Sequence, residues 1–351
     1  MDWTRSMKQT FEFFSVDPKT WKNAFVIDTI TSASVNYDAD SDTICSANIV
    51  STESLGEQYV RIYLVATQDG ITERYPLGTF LVQTPSSKFN GKVHDISVDA
   101  YSPLLELKDG MPPIGYTVLK NTNIMDVAYD ICREHLRAPV TKAVNSENLT
   151  DNFTADISEN WLSFTTALIA NAKHKFALDE LGGILFAPIQ EASALQPRFT
   201  YSDDKLSILQ PEITIDRDLY GIPNVVEVVY ANAGNRMYVK IVNDDPSSPV
   251  STVNRGREIL YRDTNPQLPG IPNQLQLEEY AKTLLKRLSS IEGTISYKHG
   301  FCPVRIGDCV YINYERAGIH DLRAVVKTQS IECNTGCQVS ETAVFTDNLW
   351  R

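Results

Sequence analysis

A chain of 351 residues with a formal charge of −12, 42% hydrophobic and 22% charged residues exceeds what one simple core organises, yet is too apolar for a disordered chain. The acidic balance argues against a nucleic-acid surface, which needs clustered Lys and Arg, and no apolar run reaches the ~18 residues of a membrane span. The opening Met1-Asp2-Trp3-Thr4-Arg5 lacks the basic-then-apolar order of a secretion signal, so folding in a cytoplasm is expected, in roughly two to four domains.

Residues 1–108 are expected to form a mostly antiparallel β domain. Strands are predicted over Phe25–Tyr37, Thr43–Ser51, Gln58–Gln68, Ile71–Gln83 and a pair of strands around Asn90. Along Gln58–Gln68, Val60, Ile62, Leu64 and Ala66 share one face, and Tyr59, Arg61, Tyr63 and Val65 the other. Asp69-Gly70 and Asn90-Gly91 are hairpin signals, because both central positions of a type I′ turn need positive φ. Closely spaced hairpins favour a barrel or sandwich. Asp38-Ala39-Asp40-Ser41-Asp42 begins like a calcium loop, but Thr43 and Ile49 stand where that loop needs Gly and Glu, so a solvated turn is expected.

In Val93–Tyr101, Ile96, Val98 and Ala100 alternate with Asp95, Ser97, Asp99 and Tyr101, as in a strand with one buried face. Asp109-Gly110-Met111-Pro112-Pro113 breaks that pattern. A small α/β domain is expected over residues 109–200. Its first helix starts from an Asn123 N-cap, with Ile124, Val127, Ala128, Ile131, Cys132 and His135 as its stripe. A second helix is predicted over Glu159–Ala172 with Ser158 as N-cap. A hairpin of Lys175–Leu178 and Ile184–Pro188 follows, turning through Asp179–Gly183. Gly182-Gly183 lacks phosphate-loop spacing and reads as a turn, and His174 reads as a helix-end cation.

Residues 201–351 return to β structure with a helical insertion around 250–290. Predicted strands are Asn224–Tyr230, Arg236–Val242, Gly293–Lys298, Cys309–Tyr314, Leu322–Glu332 and Gln338–Phe345. Ala233-Gly234-Asn235 should turn the first pair, and the helix should cover Gln274–Ser289. The fold class is therefore α+β, mainly β, in the order β, α/β, β.

No catalytic apparatus is visible. His94, His135, His174, His299 and His320 form no HxxxH or HExxH, and there is no GxSxG. Cys302 and His320 are the pair a thiol protease would require, but nothing local activates Cys302. The acid pairs Asp203-Asp204 and Asp244-Asp245 read as solvated loops. Cys45, Cys132, Cys302, Cys309, Cys333 and Cys337 read as free thiols; the last four lack zinc-knuckle spacing, although metal remains an alternative for them. No catalytic, cofactor-binding or metal residue is assigned, and no cofactor is expected.

Several stretches together resemble the baseplate or tail-tip hub of tailed bacteriophages and phage-tail-like particles. They are Asn243-Asp244-Asp245-Pro246-Ser247-Ser248-Pro249-Val250-Ser251 with Asn254-Arg255-Gly256-Arg257, then Cys302-Pro303-Val304-Arg305-Ile306-Gly307-Asp308-Cys309-Val310, Pro112-Pro113-Ile114-Gly115-Tyr116 and Phe80–Tyr101. Cys309 and Cys337 stand where that family would have aliphatics. The resemblance implies two tube-like antiparallel β-barrel domains, 1–108 and 201–351, with the α/β domain of 109–200 between them. It implies a homotrimer whose ring joins a six-fold tail tube to a three-fold spike or tip. Its partners would be tail tube or distal tail, spike, other baseplate and tape-measure proteins, in a virion assembled in the host bacterial cytoplasm. Tyr59, Tyr63 and Val65 are then candidates for subunit contact, unless a second sheet covers them. Three rivals stay open: a tail-associated peptidoglycan hydrolase, a carbohydrate- or receptor-binding module, and the spike base of a type VI secretion device.

Overall fold

The computed structural model describes residues 1–89, 94–190, 195–232, 235–266, 268 and 273–350. Alternating apolar residues build nearly half of it as strands, and the protein is mainly β with a large antiparallel sheet. The chain divides into two compact units: residues 1–213 with 297–342, and residues 214–296 with 343–351.

The first unit opens with β1 (Lys8–Asp17), β2 (Lys22–Val26), β3 (Ile30–Asp38), β4 (Cys45–Ser51), β5 (Tyr59–Gln68), β6 (Ile71–Phe89) and β7 (His94–Tyr101). The run predicted over Phe25–Tyr37 is thus two strands, and β1 lies outside every predicted strand. Asp69 (φ 51°) and Gly70 (φ 81°) make the expected two-residue hairpin between Gln68 and Ile71. The Asn90-Gly91 turn lies outside the described residues. On β5, Val60, Ile62, Leu64 and Ala66 are fully buried. Val60, Ile62 and Leu64 join Phe13, Val35, Ile49, Leu77 and Phe80 in one core with Phe301, Ile331, Cys333, Cys337 and Val339 from far along the chain.

Residues 102–190 carry α1 (Leu105–Asp109), β8 (Thr117–Val118), α2 (Ile124–His135), β9 (Phe153–Thr154), α3 (Trp161–Ala170), β10 (His174–Leu178) and β11 (Ile184–Pro188). Asn123 caps α2 as expected, its side chain accepting from the Asp126 N–H at 3.0 Å. The cap of α3 is Asn160, accepting from Ser163 at 2.8 Å, not Ser158. Asn160 supplies the same capping oxygen two residues later, and starting there places Trp161, Leu162, Phe164, Thr165, Leu168 and Ile169 in the interior. These pack on Ile124, Met125, Ala128 and Cys132 of α2, each large side chain contributing ~1.5–3 kcal/mol of burial.

Next come β12 (Pro197–Ser202) and β13 (Leu209–Arg217). β14 (Val225–Asn232), β15 (Asn235–Val242), α4 (Thr252–Arg255), β16 (Leu260–Asp263) and α5 (Gln274–Leu288) follow. The chain finishes with β17 (Ser290–Gly300), β18 (Cys309–Tyr314), β19 (Ile319–Glu332) and β20 (Gln338–Asn348). Residues 233–234 of the turn expected between β14 and β15 lie outside the described residues; the two strands pair as expected, but Asn235, expected in the turn, lies in β15 opposite Asn232.

The large sheet runs β13-β17-β20-β19-β3-β4-β7-β6-β5-β1-β2, with β18 beside β19 and β12 beside β18. Strand β19 is the junction. Over residues 319–325 it pairs with β18, and over Thr328–Glu332 it pairs with β3. One long strand so stitches the amino-terminal meander to the carboxy-terminal strands.

In the second unit β15-β14-β16 form a separate three-stranded sheet. Leu277, Ala281, Leu284 and Leu285 of α5 bury against Val226, Val228 and Val239. The Asn243–Gly256 loop is held by side-chain hydrogen bonds within it and to its flanks. Asn243 donates to the Ser248 hydroxyl at 2.9 Å, Asn224 to the Val250 carbonyl at 3.1 Å, and Arg255 to the Ile222 carbonyl at 2.8 Å. This loop is therefore scaffolding, its buried polar groups satisfied internally.

Candidate functional site

The densest cluster of reactive side chains lies inside the first unit. Alternation along β17 turns Tyr297 and His299 inward, and alternation along β20 places Glu341 between Val339 and Ala343. Tyr201 of β12, Gln329 of β19 and Cys302 complete the group. His299 and Glu341 are both fully buried, with Nε2 and the carboxylate 3.3 Å apart.

Glu341 collects donors from several strands. The Tyr297 hydroxyl donates to Oε2 at 2.7 Å, the Tyr201 hydroxyl at 3.4 Å, and the Gln329 amide to Oε1 at 2.6 Å. Gln329 also donates to the Val304 carbonyl at 2.9 Å. On the far side of the imidazole, Nδ1 lies 2.6 Å from the Gly300 carbonyl, so both ring nitrogens face acceptors. Burial alone would lower the His299 pKa, but its hydrogen bonds with Cys302 and Glu341 and the Glu341 charge raise it to about 10. Burial alone would raise the Glu341 pKa, but hydrogen bonding and the His299 charge hold it below its ordinary value. The pair is an imidazolium and a carboxylate in the core.

Chemically this group holds an acid, a base and a thiol, with the Tyr201 hydroxyl 3.3 Å from Cys302 Sγ. Geometrically it is sealed: Tyr201, Tyr297, His299, Cys302, Gln329 and Glu341 are each at most 2% exposed. A substrate has no approach, so the network fixes strand positions. Cys302 meets His299, with Nδ1 at 4.0 Å, whereas the His320 considered beside it is exposed on β19. The signal missed in the sequence was parity: Tyr297, His299 and Glu341 occupy the buried positions of alternating strands.

The acidic stretches are spread as turns. In Asp38–Asp42, Asp40 faces Lys327 at 3.3 Å and Asp42 faces Lys108 at 2.9 Å, so their carboxylates serve different partners. Asp203 pairs with Arg316, Asp204 accepts from Ser202 and Leu206, and Asp245 accepts from Ser247. All six cysteines are free and buried.

The exposed strand face expected at Tyr59 and Val65 is covered. They are 1% and 7% exposed, with the Trp21 ring 4.8 Å from Tyr59 and the Arg137 guanidinium 5.0 Å from it. Tyr63 alone of the three remains partly exposed, edge-on to Phe14 at 5.7 Å. On the same strand Arg61 is 2% exposed, donating to Thr79, Asn23, Trp21 and Leu181. The Leu181 carbonyl also accepts from Trp21 Nε1 at 3.0 Å and Thr79 Oγ1 at 2.7 Å. The Asp179–Gly183 turn is thereby latched to the amino-terminal strands.

No family model and no curated protein matches the chain. Solved structures share the fold, which is seen in bacterial and prophage tail proteins and in a PdpA-VgrG complex. The tail protein of Neisseria meningitidis MC58 superposes at a TM-score of 0.59 with 15% identity, covering 97% of this chain and 98% of its own. The 43 kDa tail protein of prophage MuSo2 from Shewanella oneidensis gives 0.58 at 10% identity, covering 95% and 97%. A chain of the PdpA-VgrG complex of Francisella gives 0.54 at 10% identity, covering 98% of this chain and 53% of that one. The chain thus shares the fold of these tail proteins.

Proposed function

We propose that this protein is a structural hub of a phage tail baseplate or tail tip. It acts as a homotrimer, with two tube-like β halves per chain, 1–108 and 201–351, separated by the α/β domain of 109–200. Three chains present six tube-like units to a six-fold tail tube on one side and three-fold symmetry to a spike or tip on the other. The observation carrying this reading is likeness to a tail protein over nearly the whole of both chains. The sealing of the His299–Glu341 network supports a role that is geometric and not enzymatic. The partners are tail tube or distal tail, spike, other baseplate and tape-measure proteins, and the location is the virion after assembly in the host cytoplasm.

The test is solution mass by light scattering, with the chain alone and with the tube and spike proteins of the same particle. A trimer in the presence of those partners is expected. A chain that stays monomeric with both present, or that clears peptidoglycan by itself, overturns the proposal.

A further inference from the structure

The outer edge of β15 in the second unit carries features that the hub reading does not use. β15 ends the sheet β15-β14-β16, so among the described residues one side of it has no neighbouring strand. The register pairs Val242 with Val225 and Lys240 with Glu227, and the Asn243 N–H donates to the Asn224 carbonyl at 2.8 Å. In an antiparallel ladder, residues that exchange hydrogen bonds alternate with residues that do not. Val239, Ile241 and Asn243 therefore bond inward to β14, while Tyr238, Lys240 and Val242 aim their backbone groups outward. The helix confirms this parity: Gln274 Nε2 donates to the Tyr238 carbonyl at 3.2 Å.

Beside the outward groups of Lys240 and Val242 lies an open depression of about 800 Å³, lined by Lys240, Val242, Lys282, Thr283, Lys286 and Trp350 among others. Its charged lining residues are three lysines against the single Glu279. Lys240 is neutralised by Glu258 at 3.0 Å. Lys282 and Lys286, one turn apart on α5, are exposed and make no ion pair among the described residues. Trp350 packs its ring on the α5–β14 core and leaves part of it towards the depression. A strand edge, two unpaired cations and an indole converge here, on a chain whose overall charge is −12.

We propose that this edge docks an extended acidic peptide segment of a partner protein. The segment adds as a strand beside Lys240–Val242, sets carboxylates against Lys282 and Lys286, and lays an apolar side chain on Trp350. Lysines along an edge repel neutral and basic strands from uncontrolled pairing, and an acidic strand turns that same barrier into attraction.

The probe is a fluorescein-labelled hexapeptide of alternating Glu and Val, followed by anisotropy with the full chain. Saturable binding that weakens with salt is expected, at least about tenfold weaker for Lys282→Glu/Lys286→Glu. Both lysines are exposed, so folding of that variant is checked simply by its unchanged circular dichroism. A second peptide, N-methylated on the amides that would face β15, leaves the protein untouched and should bind at least about tenfold more weakly, because strand addition needs those donors. Equal binding of the methylated peptide, an unweakened affinity in the double variant, or equal competition by single-stranded DNA of the same charge overturns the proposal.

Discussion

Replacing Glu341 with Gln removes the carboxylate that holds His299 charged in the core, and its effect can be worked out from the geometry. Glu341 is fully buried, bonded to Tyr297 and Gln329 and paired with His299 at 3.3 Å. Deleting one member of a buried ion pair costs about 3–5 kcal/mol, because the other is left charged without a partner or must give up its proton. That is a large part of the 5–15 kcal/mol typical of domain stability. The pH dependence is the sharper readout. The His299 pKa is raised from 6.5 to about 10 in the folded state, so its contribution is complete below 6.5 and is lost as pH rises towards 10. Each pH unit in that window costs roughly 1.4 kcal/mol, or about 3 kcal/mol between pH 6.5 and 9. The Glu341 pKa is lowered, so its contribution stands above 4.5 and is lost as pH falls through the depressed value. Urea unfolding followed by circular dichroism at pH 6.5 and 9 should show the parent weakening with pH and Glu341→Gln weakening much less. If the variant costs less than about 1 kcal/mol, or keeps the parent's alkaline slope, the ion pair is not as described.

Arg61→Met should destabilise by about 2–4 kcal/mol and loosen the Asp179–Gly183 turn, seen as faster amide exchange and proteolysis near Leu181, since Asn23, Thr79 and the Trp21 and Leu181 carbonyls each lose the hydrogen bond from the guanidinium. Gly182→Ala should cost more than Gly56→Ala in thermal unfolding. Both have positive φ, but a Cβ at 182 would stand 2.9 Å from Thr79 Cβ, whereas at 56 nothing lies within 4 Å. A maleimide probe should label no cysteine in the native protein and all six after unfolding. All are buried, and burial pushes the Cys132 thiol up to about 12, far from the reactive thiolate.

Local signals made most elements legible. The Asp69-Gly70 hairpin, the Asn123 cap and the buried stripe of α5 follow from turn chemistry and periodicity alone. Where a strand could bury one face or two, the sequence was silent. The Tyr59–Val65 face of β5 looks like a free surface, but Trp21 and Arg137 reach it from elsewhere in the chain. Strand β1 carried its own signal, Phe11 alternating with Phe13, which Lys8, Gln9, Thr10 and Glu12 diluted. The His299–Glu341 pair was invisible for a different reason. Its members sit 42 residues apart on strands whose pairing no local pattern specifies, and only parity hints that each points inward.

That non-local pairing has a consequence for fragments of the chain. β3 is covered along Ser34–Asp38 by Thr328–Glu332 of β19, and the core around Val35 and Ile62 is completed by Phe301, Ile331, Cys333, Cys337 and Val339. A fragment ending at residue 108 loses all five of these side chains and leaves one edge of β3 open. At ~1.5–3 kcal/mol for each large apolar residue buried, the loss is comparable with the whole stability of a domain. An open apolar strand edge also invites association. The isolated fragment should therefore aggregate or remain partly unfolded, with poorly dispersed amide NMR signals. Adding residues 297–342 as a separate peptide should restore dispersion. Well-dispersed spectra from the fragment alone would mean that its meander closes on its own residues, and that β19 only decorates a core already complete.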